Sequence, residues 1–158
     1  MSEVERLKTI VEKLRSENGC PWDRAQTHST LKPACIEEAA EVVCGINILE
    51  ETGDAENLKE ELGDLLLQVM FHAVLAEEEG LFTFEDVAAA ISEKMVRRHP
   101  HVFEDVFYES KEAQLEAWEE IKKSERSGRE WWDEYLPEAF NEAEKLIQKA
   151  RERKGFTR

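Results

Sequence analysis

Five acidic side chains stand at spacings that could hold a cation. Glu37-Glu38-x-x-Glu41 and Glu61-x-x-Asp64 each set carboxylates three residues apart. Residues three apart on a helix project from one face, one turn from each other. Two such helices running antiparallel would aim Glu38, Glu41, Glu61 and Asp64 at a common point. Two carboxylates about 4 Å apart repel by roughly 4 kcal/mol at an effective dielectric of about 20, so four together need protons or cations. A donor set of oxygens alone selects a hard ion, Mg²⁺ or Mn²⁺, over zinc. The competing reading is ordinary solvated acids, since any single ExxE or ExxD is weak evidence among 36 acidic residues. Position argues for more: Glu61, Asp64, Gln68 and His72 form one polar stripe along an otherwise apolar helix. Di-iron bundles, the other helical carboxylate chemistry, use Glu-x-x-His pairs. None of the four histidines has a glutamate three residues before it.

Lys94, Arg97 and Arg98 fall at i, i+3 and i+4, followed by His99-Pro100-His101. Such a face suits phosphate oxygens. It equally suits the negative end of a helix dipole. The loop Cys20-Pro-Trp-Asp-Arg-Ala-Gln-Thr-His28 precedes the first acidic motif. Trp22 offers a stacking face for a nucleobase, although packing against the core is the commoner role of such a residue. His28 is a candidate substrate contact, although a lone histidine is more often structural.

The elements that must carry these groups are all helical. Val4, Leu7, Val11 and Leu14 define a first amphipathic helix that stops near Asn18-Gly19. The stretch from Cys20 to Thr30 reads as a loop. Pro33 belongs to the first turn of a second helix, with Ile36, Ala39, Val43 and Ile46 inward and an end before Gly53. Asn57 and Glu60 predict the cap of a third helix, apolar around much of its circumference, that stops at Gly80. A fourth opens at Thr83-x-x-Asp86 with Phe84, Val87, Ile91 and Met95 inward, and Pro100 ends it. A fifth lies between Ser110 and Lys123, and Ser124 to Arg129 reads as a linker. A terminal helix carries Leu136, Phe140, Ala143, Ile147 and Ala150. No strand pattern and no internal repeat is present.

Composition narrows the function. The 158 residues suit one modest domain with an appendage, and 41% hydrophobic content excludes a disordered tail. A net charge of −15 argues against binding DNA, RNA or an anionic membrane. An anionic substrate then needs cations or a local basic patch to receive it. Cys20, Cys35 and Cys44 are odd in number and lack CxxC spacing, which fits reduced thiols in the cytoplasm rather than disulfides or a zinc site. Met1 to Glu12 has no uninterrupted apolar core, so it reads as neither a signal peptide nor a membrane span.

Four segments in order, Gly19-Cys-Pro-Trp-Asp-Arg-Ala-Gln-Thr-His28, Glu37-Glu-Ala-Ala-Glu41, Glu60-Glu-Leu-Gly-Asp64 and Arg97-Arg-His-Pro-His-Val-Phe103, closely resemble the MazG family. The resemblance runs from about Leu7 to Asp105. It implies an all-α nucleoside triphosphate pyrophosphohydrolase fold that dimerises through its helices, and the apolar circumference of the third helix, with Leu65, Leu66, Leu67, Val69 and Met70 pointing in nearly every direction, separately predicts a homodimer or a dimer of dimers. The resemblance implies magnesium, with manganese as a substitute, held by Glu38, Glu41, Glu61 and Asp64. It implies hydrolysis of (d)NTPs to monophosphate and pyrophosphate, serving nucleotide-pool cleaning or stress-linked control. On this reading Glu37 or Glu38 takes the proton of the attacking water, and Lys94, Arg97 and Arg98 hold the departing pyrophosphate. The expected division is a catalytic helical domain over 1–106 and a helical extension over 107–158. The segment from Leu136 to Phe156 looks like the opening helix of a second such domain. Phosphoribosyl-ATP pyrophosphohydrolase is a relative of similar fold, and a catalytically silent helical interaction module is the non-enzymatic alternative. The CPWD loop and the HPHVF segment favour MazG over the former. The intact carboxylates argue against the latter.

Overall fold

The computed structural model describes residues 1–156, and every regular element among them is helical. In chain order these are α1 (Glu3–Arg15), α2 (Pro21–Arg24), α3 (Lys32–Thr52), α4 (Glu56–Glu78), α5 (Phe84–Arg98), α6 (Pro100–Phe103), α7 (Lys111–Arg126) and α8 (Glu130–Arg153). Among the described residues there are two compact units, one of residues 1–84 with 141–156 and the other of residues 85–140. No described helix is long and apolar enough to cross a membrane.

The first unit holds the core. Val11, Leu31, Met70, Phe71, Val74 and Leu75 are buried together, with Leu7, Leu67 and Phe84 packed against them. Burying side chains of this size contributes about 1.5–3 kcal/mol each. Ser2 and Glu5 cap α1 reciprocally, so the helix enters this core with its first amides satisfied. At its other end the buried guanidinium of Arg15 donates to the carbonyls of Asp23 and Gln26 and forms a fork with Glu78. One side chain thereby ties α1, the segment around α2 and the end of α4 together.

The helices α3 and α4 form an antiparallel hairpin. Gly53 ends α3 with φ 77°, a left-handed turn that glycine adopts without a Cβ penalty. Asp54 Oδ1 then accepts from the Glu56 amide at 2.9 Å. This displaces the expected cap: α4 starts at Glu56, and Asn57 lies inside it with its amide turned to Glu61. Gly45 is buried where α3 meets α4, and a Cβ there would lie 2.8 Å from the Leu58 Cα. With Glu38 beside Glu61 and Asp64, that contact sets the face α3 turns to α4. The stripe expected to point inward does not: Ala39, Val43 and Ile46 are exposed, because the 38–45 face takes the contact.

Other boundaries differ in smaller ways. The loop after α1 contains the turn α2, with Pro21 in its first turn. In the second unit, Ser110 caps α7 by accepting from the Ala113 amide at 3.1 Å, and α7 runs on to Arg126. Helix α8 begins at Glu130, ahead of the periodic segment, and carries Pro137 in its interior at the cost of one backbone bond. Along α5, Phe84 reaches the core, but Ile91 and Met95 are exposed.

Candidate metal centre

Where α3 and α4 pass each other, Glu38, Glu61 and Asp64 each present a carboxylate oxygen, and the three atoms lie within 4.8 Å of one another. All three side chains are half-buried. The close approach at Gly45 brings the helices near enough for these short acids to meet. Burial pushes the Glu38 carboxyl above its usual range, and the surrounding charges of Glu41, Asp64, Glu61 and Glu37 push the same way. An excess of negative charge in a half-dry site, with oxygen donors only, fits a hard divalent cation. Asn57 steadies the arrangement by donating Nδ2 to Glu61 Oε1 at 3.0 Å.

The outer acids of the motif have other partners. Glu41 pairs with Lys154, and Glu37 pairs with Arg153, both from the end of α8. Glu41 is thus adjacent to the triad without belonging to it in this arrangement. Further along the α4 stripe, Gln68 is buried with its Oε1 unpartnered. One turn beyond, the His72 ring stacks on His28 with centroids 5.0 Å apart, planes 8° apart and the two Nδ1 atoms at 2.7 Å. One of those nitrogens must carry the shared proton. Cys35 Sγ lies 3.4 Å from His72 Nε2. Burial lowers the His72 pKa, and His28 adds to the effect. Burial also raises the Cys35 thiol, against a backbone hydrogen bond and with some help from Glu38. The candidate contact His28 is therefore engaged with α4 at His72, beyond Gln68 on the stripe that carries the carboxylates.

Trp22 is 64% exposed on α2, so it does not pack in the core as tryptophans in such loops commonly do. In the second unit, Arg97 and Arg98 grip one carboxylate, that of Glu125. Arg97 Nε lies 2.9 Å from one oxygen, and Arg98 Nη2 lies 2.5 Å from the other. The Arg98 hydrogen bonds, aided by Arg97, hold the Glu125 carboxyl below its usual range. Lys94 is half-buried on the same helix. The contacts of Asn57, Arg153 and Lys154 with the acidic motifs escaped the sequence reading. Asn57 carried the signature of a cap, and the other two lie more than a hundred positions from their partners.

Residues 26–103 match the family described as the MazG nucleotide pyrophosphohydrolase domain. The chain is 49% identical over 128 residues to the nucleoside triphosphate pyrophosphohydrolase of Escherichia coli (strain K12), covering 80% of this chain and 47% of that protein. It is 52% identical over 122 residues to the nucleoside triphosphate pyrophosphohydrolase/pyrophosphatase MazG of Thermotoga maritima, covering 77% of this chain and 45% of that protein. It therefore spans less than half the length of either relative.

Proposed function

Residues 26–103 place the chain in the MazG nucleotide pyrophosphohydrolase family, and from that premise we propose that it hydrolyses (d)NTPs to nucleoside monophosphate and pyrophosphate with Mg²⁺. The observation that carries the reading is the convergence of Glu38, Glu61 and Asp64 between α3 and α4. These three, with Glu41 once Lys154 is displaced, would hold the ion. Mn²⁺ would substitute, being a similar hard cation. Bound there, such an ion supplies charge neutralisation for phosphate oxygens and a more acidic water.

The remaining roles belong to the chain's own groups. Glu38, through a carboxylate oxygen the ion leaves free, is assigned to receive a proton from the attacking water. Glu37, steadied by Arg153, is the alternative acceptor at the edge of the cluster. Asn57 fixes the Glu61 rotamer. Lys94, Arg97 and Arg98 are assigned to phosphate oxygens, the two arginines exchanging Glu125 for substrate. Trp22 offers its exposed face to the nucleotide, and His28 braces the site through His72. The physiological role is removal or control of nucleotides in the cytoplasm, where free thiols such as Cys20, Cys35 and Cys44 persist.

The test is the identity of the first products. With a panel of NTPs and dNTPs and Mg²⁺, pyrophosphate and monophosphate should appear in equal amounts from the earliest time points. Orthophosphate as the first product would identify a phosphatase instead.

A further inference from the structure

Between α3 and the last turns of α8 lies a cavity of 480 Å³, formed within the first unit. That volume is in the range of small-molecule sites. Its walls are apolar, chiefly Ile36, Ile48 and Ile147. At one end it is lined by Glu41 and Glu61, so it opens onto the acidic cluster. Phe156 also lines it and is 65% exposed, with ring surface available for stacking. The Lys154 ammonium stands at the acidic end on Glu41. Cys44, an exposed thiol, faces the same space.

These features together describe a divided ligand: a flat apolar body joined to a polyanion that arrives with its own cations. The end of α8 is held to α3 by charge, through Lys32–Glu142, Arg153–Glu37 and Lys154–Glu41, while the space beneath stays open. Such pairs exchange partners readily in water. With a cation held at Glu41, the Lys154 ammonium would be free to face the incoming phosphates.

We propose that this cavity receives the nucleoside of the triphosphate, with the base against Phe156 and the phosphates between Lys154 and the acidic cluster. The inference rests on the pyrophosphohydrolase reading and adds the α8 residues to it. Apolar walls and a stacking ring engage a base by its face rather than its edges, so the cavity discriminates poorly among bases.

Cys44 is the built-in reporter. Its alkylation by N-ethylmaleimide is followed by mass spectrometry, with and without Mg²⁺ and α,β-methylene-ATP, whose α–β bridge cannot be hydrolysed. Pyrophosphate release from ATP is measured in parallel. The analogue should slow Cys44 alkylation in the parent protein. The concentration giving half-protection should rise about tenfold in Lys154→Ala, the loss expected for one charge-assisted contact. It should rise similarly in Phe156→Ala, and Lys154→Arg should restore it. Alkylation unaffected by saturating analogue overturns the cavity assignment, as does protection of both alanine variants at the parent's concentration. Pyrophosphate release without Cys44 protection overturns the cavity alone. Lys154-dependent protection without pyrophosphate release upholds the cavity and overturns the reaction.

Discussion

Gly45 of α3 lies so close to Leu58 of α4 that a Cβ at position 45 would stand 2.8 Å from the Leu58 Cα. No side chain rotates away from a backbone atom, so the two helices must part to admit one. The same pair of helices carries Glu38 on one side and Glu61 with Asp64 on the other. Gly45→Ala should therefore cost about 1–3 kcal/mol of stability, the range for overpacking. It should also weaken Mg²⁺ binding, read by denaturant unfolding and by calorimetric titration. A variant with parental stability and parental Mg²⁺ affinity would show that this contact does not set the site.

Glu38 has a raised pKa in the folded protein. Its contribution to stability is therefore full below the carboxyl's unfolded value and is lost as pH rises through the folded one. At neutral pH the ionised side chain works against the metal-free fold. Glu38→Gln should raise the melting temperature of the metal-free protein at pH 7, by roughly 2–4 °C if about 1 kcal/mol is recovered. The gain should shrink toward pH 4, and the stabilisation by Mg²⁺ should disappear. A lower metal-free melting temperature at pH 7 would contradict the electrostatic reading of this cluster.

The parts of the fold legible in the sequence were those set by local rules. Gly53 and Gly80 bracket α4 because each adopts a positive φ that other residues avoid. The spacing of Glu61 and Asp64 places both on one face of α4, since helical period alone decides that. The orientation of α3 was not legible in the same way. Ile36, Ala39, Val43 and Ile46 have the spacing of a core stripe, and that spacing is identical for a stripe awaiting a partner. Gly45, which marks the real contact, has no side chain to contribute to any hydrophobic pattern. Lys154 and Arg153 were illegible for another reason: a charge at the end of one helix carries no sign of which distant carboxylate it meets.

The exposed face raises a prediction about assembly. Val43 and Ile46 on α3, and Leu62, Leu66 and Val69 on α4, are 37–56% exposed. Apolar patches of this kind usually mark interfaces, and closed two-fold dimers are the commonest solution. We predict a homodimer, or a dimer of dimers, by sedimentation equilibrium at micromolar concentration. Leu66→Lys should shift it toward monomer. A parent protein that is monomeric, folded and active at that concentration would exclude assembly through this face.

The most direct measurement is a Mg²⁺ titration of the parent protein and of Asp64→Asn, following melting temperature and pyrophosphate release in the same samples. A ligand that binds only the folded state must raise its stability. The expected result is a rise in melting temperature and turnover for the parent. For Asp64→Asn neither is expected, with the helical circular dichroism unchanged. Parental turnover by Asp64→Asn at saturating Mg²⁺ would contradict the assignment of the carboxylates between α3 and α4 as the metal centre.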